Sequence, residues 1–150
     1  GSWRAYRRGR VSGPQRPVRV VLDSSVLIAA HVTRAGACAE LYEEILQRHD
    51  LVLSRQILDE VASGLRMRFL IRDDLIEQAL AAMTRAAELV EPSLAPAEAR
   101  RNPDDSADRR TAAAGRADVL VTVASGPPDP ASREATAIIQ PVEFWTLAHA

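Results

Sequence analysis

Hydrophobic positions along this chain come in two alternating textures. Short β-branched runs of three to five residues give way to longer stretches in which apolar residues recur three and four apart. Val18–Leu22 is the first run, with the length and composition of a buried parallel strand. It stops at Asp23, and Ser24 and Ser25 are expected to cap a helix through Val26–His31. Ala35–Gln47 then reads as a helix with Leu41, Ile45 and Leu46 inward and Glu40, Glu43 and Glu44 outward. Leu51–Leu53 is a second strand, followed by Ser54 as the cap of a helix over Arg55–Arg68 that buries Ile57, Leu58, Val61 and Leu65. Asp73–Ala87 opens on two acids that complement its dipole, and Leu89-Val90 is a third short strand. After a proline-punctuated loop, Asn102-Pro103 precedes an alanine-rich helix ending at Gly115. Val119–Val123 is the next strand and Ala137–Ile139 the last, with Pro141 starting a closing helix through Phe144 and Leu147. Strands alternating with helices imply an α/β fold whose central parallel sheet is joined by right-handed crossovers.

Composition changes this picture little. A chain of 150 residues with 47% hydrophobic residues fits one domain that buries roughly two-thirds of its unfolded surface. No apolar run approaches the ~20 residues of a membrane span, and no secretory segment is seen, so a cytoplasmic address with no membrane partner is expected. The single Cys38 excludes an internal disulfide and a cysteine-built zinc site, and reads as a small core residue. Charge changes it more. There is no lysine, and Arg4, Arg7, Arg8, Arg10, Arg16 and Arg19 all precede Val20 with no acid among them. Residues 1–17 are therefore expected to form a basic, disordered leader to a domain spanning 18–150. With Trp3 and Tyr6 interleaved, such a leader suits phosphate backbones and unpaired bases.

The candidate chemistry lies in carboxylates. Asp23 falls at the carboxyl end of the first strand, where open α/β sheets hold ligands; its plainer role is to end the strand and cap the helix. Glu60 stands beside Val61 at the apolar boundary of its helix, although most single helical acids are simply solvated. Asp104, Asp105 and Asp108 crowd one helix start, more charge than dipole compensation explains unless a cation or an arginine neutralises it. Such oxygen ligands suit a hard cation, Mg²⁺ or Mn²⁺, which positions water and neutralises charge at a phosphodiester.

The order of these pieces resembles the PIN domain family, and within it the group regarded as toxin components of toxin–antitoxin pairs. The segments that carry the resemblance are Leu22-Asp23-Ser24-Ser25-Val26-Leu27, Leu58-Asp59-Glu60, Asn102-Pro103-Asp104-Asp105, Gly115–Asp118 running into Val121–Ala124, and Ile138–Phe144. The resemblance implies a three-layer α/β/α fold and Mg²⁺- or Mn²⁺-dependent cleavage of RNA. Carried over by position, Asp23, Glu60 and Asp105 form the acidic pocket. Asp104 and Asp108 are supporting ligands, and Thr122 is a hydroxyl at the strand end. In that scheme Asp23 and Asp105 hold the metal, Glu60 orients or deprotonates the attacking water, and Thr122 holds that water or a phosphate oxygen. An antitoxin protein and a homodimer, the latter through the apolar edge of Ala35–Gln47, are the expected protein partners.

The chain also departs from the pattern. The family's fourth acid falls on Ala124, its Asn on Ser25, its Asp-Pro on Asn102-Pro103, and Gly126-Pro127-Pro128 replaces the segment after the fourth acid. Loss of one carboxylate implies a weakened nuclease centre. The alternative is a PIN-fold RNA- or protein-binding module without catalysis, and an unrelated phosphate-binding α/β domain is disfavoured by the absence of lysine and of a glycine-rich loop.

Overall fold

The computed structural model describes residues 17–33, 35–92, 106–123 and 136–149. Five strands form one parallel sheet: β1 (Arg19–Leu22), β2 (Asp50–Leu53), β3 (Glu88–Leu89), β4 (Val119–Val121) and β5 (Ala137–Ile139), in the order β3-β2-β1-β4-β5. Six helices surround it among the described residues: α1 (Ser24–Val32), α2 (Ala37–Arg48), α3 (Arg55–Met67), α4 (Asp73–Ala86), α5 (Ala107–Ala114) and α6 (Pro141–Ala148). The result is the three-layer α/β/α arrangement expected from the alternation of elements.

The topology positions the site. From β1 the chain steps outward to β2 and β3, then returns across both to β4 on the other side of β1. With crossovers of one hand, this reversal sends α5 to the opposite face from α1–α4. The packing agrees: α1 lies on α2 and α3, α3 on α4 and α2 on α6, whereas α5 lies on β1, β2 and β4 and touches the other layer only at α3. The reversal also opens a crevice between the carboxyl ends of β1 and β4, the place where open α/β sheets hold ligands.

The core follows the apolar pattern. Val20, Val21, Leu22, Leu53, Ile57, Val61 and Phe144 are fully buried, and Cys38 packs half-buried against them. Two readings need correction. Leu46 is exposed, because the buried stripe of α2 runs through Leu41 and Ile45 and the next residue lies about 100° further round the helix. And the cap of α1 is Asp23, not Ser24 or Ser25: its side chain accepts from the Val26 N–H at 2.8 Å, so both serines already lie inside the helix.

Gly115 ends α5 as expected, but for reasons of space. Its φ is −86°, which any residue adopts; the left-handed residue is Arg116, at φ 51°. The Ala117 N–H donates to the Ala112 carbonyl and the Arg116 N–H to that of Ala113, the paired bonds of a Schellman turn with arginine in the place usually held by glycine. A Cβ on Gly115 would stand 2.5 Å from Val52 Cγ1 and 3.2 Å from the Thr111 carbonyl oxygen. Gly115→Ala is therefore expected to wedge α5 from the sheet and cost about 1–3 kcal/mol, read as a lower midpoint in urea unfolding.

His49 closes the corner between α2 and β2. Its Nδ1 accepts the Val18 N–H at 3.2 Å and its ring packs edge-on against Phe144, with centroids 5.7 Å apart. Burial holds its pKa below the usual 6.5, with Arg48 assisting and Glu44 and Asp50 opposing. The unfolded chain thus takes up this proton more readily, and stability declines as pH falls below about 6.5. His49→Gln should flatten melting temperature against pH in that window.

Candidate functional site

Asp23 lies at the carboxyl end of β1 and Thr122 just past that of β4, the two strands that flank the crevice, with Leu22 in register with Val121. The Asp23 N–H donates to the Val121 carbonyl at 3.1 Å, and the Thr122 N–H to that of Ile139 at 2.9 Å, so backbone bonds fix both residues on the rim. Their side chains meet: the Thr122 hydroxyl donates to Asp23 Oδ2 while Asp23 Oδ1 accepts the Val26 N–H. Both residues are buried, Asp23 at 7% and Thr122 at 6% exposure. A carboxylate that far from water needs these donors, since an unpaired buried charge costs several kcal/mol.

The donors do not fully compensate. Burial lifts the Asp23 pKa above its usual 3.8; the Thr122 hydroxyl and the Val26 N–H pull it down, and the charge of Asp108 pushes it up again. Asp108, in the first turn of α5, is thus an electrostatic neighbour of Asp23 although 85 residues separate them (108 − 23). Its own Oδ1 accepts the Ser106 hydroxyl and the Arg109 N–H, an arrangement that fixes its direction. The field of Asp23 reaches Cys38 as well, whose thiol is pushed up by burial first and by that charge second.

The structure therefore brings Asp23, Thr122 and Asp108 into one neighbourhood from three separate elements. Glu60 is exposed on α3, and among the described residues no three His, Cys, Asp or Glu side chains come together as a metal-holding group. Asp104, Asp105 and Ala124, like residues 1–16 of the basic leader, lie outside the described residues. The donors present are hard oxygens, and the proton affinity of Asp23 is raised by burial first and by the charge of Asp108 only to a lesser degree.

One constellation was not foreseen. Ser54, the cap of α3, and Thr111 of α5 are both fully buried, and the Thr111 hydroxyl lies 2.6 Å from Ser54 Oγ and 2.6 Å from the Ala107 carbonyl oxygen. Ser54 Oγ also accepts the Ile57 N–H at 3.4 Å. This bond fastens the start of α3 to α5 and so helps fix the helix that carries Asp108. Two small hydroxyl residues 57 positions apart give no signal in the sequence.

No described helix is long and apolar enough to cross a membrane. Residues 19–123 match the family model described as the PIN domain. No curated protein matches the chain.

Proposed function

The chain belongs to the PIN domain family, whose members are generally nucleases and generally use divalent metal ions, and from that premise we propose that it is a metal-dependent endoribonuclease with a weakened centre built on Asp23. The observation that carries this reading is the Asp23–Thr122 pair, a buried carboxylate and a hydroxyl joined across the point where the sheet reverses its order.

By the family pattern Asp23 and Asp105 would hold Mg²⁺ or Mn²⁺, with Asp104 and Asp108 as supporting carboxylates; of these the described residues Asp23 and Asp108 offer the hard oxygens such an ion takes. Magnesium takes oxygen ligands, is commonly held by one or two carboxylates, and keeps several waters. When bound, such an ion activates a coordinated water and offsets charge developing at a phosphodiester. The chain's own groups do the rest. Thr122 donates to Asp23 and so holds one of its oxygens in a fixed direction. The Val26 N–H fixes the other, so the carboxylate enters the reaction already oriented. Asp108 keeps the local potential negative, which favours a cation. Glu60, which the family pattern gives the task of orienting or deprotonating the attacking water, is exposed on α3 and is assigned no step here. The Arg-rich leader adds salt-dependent contacts to RNA phosphates. Resemblance to toxin components supports action on RNA in the cytoplasm under control of an antitoxin; growth arrest on expression that Asp105→Ala relieves would follow from it.

A second reading, an RNA- or protein-binding module without catalysis, is favoured by Ala124 standing where the family pattern has its fourth acid. Incubation of the full chain with a mixed single-stranded RNA pool separates the two. Cleavage is expected with Mn²⁺, absent with EDTA, and about 10–100-fold slower in Thr122→Val. Cleavage that survives EDTA overturns the proposal; salt-sensitive RNA binding with no cleavage at any Mn²⁺ concentration favours the binding module.

A further inference from the structure

The buried positions of α5 are Ala107, Thr111 and Ala112, and of these only Thr111 carries a polar side chain. An apolar residue would fill that place with no polar atom to satisfy, so the hydroxyl calls for a reason beyond packing. One ordinary reason is the bond that threonine makes inside a helix, to the carbonyl four residues earlier. Thr111 makes that bond, to Ala107 at 2.6 Å. Its Oγ1 also lies 2.6 Å from Oγ of Ser54, 57 positions away on another element, which a bond within α5 does not account for.

Counting protons gives the direction of these bonds. A hydroxyl has one proton to donate and two lone pairs. The Ala107 carbonyl can only accept, so the Thr111 proton goes to it. Ser54 Oγ accepts the Ile57 N–H at 3.4 Å, and its own proton then goes to Thr111 Oγ1. Neither buried hydroxyl is left with an unpaired proton, and the first turn of α3 is joined to the first turn of α5. The place of this joint matters. Carried just beyond the strands, the ladder registers Val20–Leu51 and Leu22–Val121 align Ser54, Asp23 and Thr122 across one rim. Asp108 stands three residues before Thr111, on the same flank of α5.

We propose that Thr111 is a positioning residue of the acidic centre: bonded to Ser54, it sets how far the first turn of α5, with Asp108 on it, stands from the rim that carries Asp23. The inference rests on the metal-centre reading given above. In that reading carboxylates from separate elements must face one ion, and a misplacement of about 1 Å in one of them is costly. Asp108 reaches Asp23 through its charge and has no covalent tie to that rim within 80 residues, so its distance is set by what holds α5. Backbone bonds fix Asp23 and Thr122 on the sheet. The Ser54–Thr111 bond does the same for α5.

Two variants of the full chain separate positioning from stability. Thr111→Val keeps the branched shape and removes the hydroxyl; Thr111→Ser keeps the hydroxyl and removes a buried methyl group. Both should melt below wild type, one through the orphaned Ser54 proton and the other through a small cavity. Only Thr111→Val is expected to need more Mn²⁺, with half-saturation in a thermal-shift titration raised about tenfold and RNA cleavage returning toward the wild-type rate as Mn²⁺ saturates. Thr111→Ser should titrate as wild type does. A metal-free measurement accompanies these. In EDTA, the Arg110 amide, which donates to the Ser106 carbonyl at 3.0 Å, should exchange its hydrogen at least about tenfold faster in Thr111→Val, relative to the amides of β1. In Thr111→Ser it should keep its protection. Unchanged Mn²⁺ half-saturation in Thr111→Val overturns the proposal. So does half-saturation that rises in both variants in step with their lost melting temperature, the mark of a purely structural residue. Unchanged exchange at Arg110 in Thr111→Val shows that the bond does not hold α5 and overturns it too. A wild type with no Mn²⁺ response, whatever the exchange shows, fells the metal centre itself and any part of Thr111 in it.

Discussion

Asp23→Asn is expected to raise the melting temperature of the metal-free protein while removing both its response to Mn²⁺ and its cleavage of RNA. The three effects share one cause. Burial lifts the Asp23 pKa above 3.8, so between that value and the folded-state value the native protein binds more protons than the unfolded chain. Stability of the metal-free protein therefore falls as pH rises through this window, and the deficit persists at neutral pH. Asparagine removes the charge yet keeps an oxygen for the Val26 N–H, and the two residues are nearly equal as helix caps. Thr122 can turn its hydroxyl to accept from the new amide. In wild type, Mn²⁺ at about 100 times its Kd should add about 2.7 kcal/mol, a rise of roughly 5–10 °C for a domain of this size. Asp23→Asn should show none of that rise, and cleavage should drop by more than about 100-fold, beyond what loss of an outer partner causes. Thermal melts at pH 7.5 in EDTA and in Mn²⁺ check the first two effects, and a gel-based RNA assay the third. An unchanged Mn²⁺ shift in the variant would place the metal elsewhere.

This coupling explains why the first strand was so legible. An apolar run ended by a lone acid can be read locally, because strand length and the switch to a carboxylate are both properties of consecutive residues. The same holds for Ser54 ahead of α3, where the hydroxyl, the apolar spacing of Ile57, Leu58, Val61 and Leu65, and the burial all agree. Pairwise facts were not legible. The cap of α1 was legible only as two alternatives, Asp23 itself or the serines that follow it, and the choice between them depends on the Asp23 χ angles. That Asp108 shares its field depends on the chain reversing across the sheet, a property of strand order and not of any segment. β4 is two residues shorter than its apolar run suggests: Thr122 keeps one bond to β5 through its N–H while its hydroxyl turns to Asp23, and Val123 is exposed. Glu60 shows the reverse limit. Its position beside Val61 allowed either direction, and the side chain is exposed on α3.

Ala124→Asp is expected to convert a weak centre into a stronger one, and it tests the second reading directly. Thr122 sits at the rim beside Asp23, and position 124 follows it by two residues, where the family pattern places its fourth acid. A restored carboxylate should tighten Mn²⁺ binding by about 10–100-fold, the scale on which partners of a metal centre act. The gain should be largest at limiting Mn²⁺ and shrink as the metal saturates, because the added acid supplies affinity and not a new chemical step. It should also carry a cost. A further negative charge near Asp23 and Asp108 adds like-charge repulsion, pushes the Asp23 pKa higher, and so lowers the metal-free melting temperature at neutral pH. Thermal melts across a Mn²⁺ titration, run beside RNA cleavage at each concentration, separate affinity from turnover. If wild type cleaves and Ala124→Asp cleaves at lower Mn²⁺, the centre is weakened but working. If only the variant cleaves, the natural protein is a binding module whose architecture still supports catalysis. If neither cleaves although both bind Mn²⁺, three described groups in one neighbourhood are not enough, and the nuclease assignment for this chain falls.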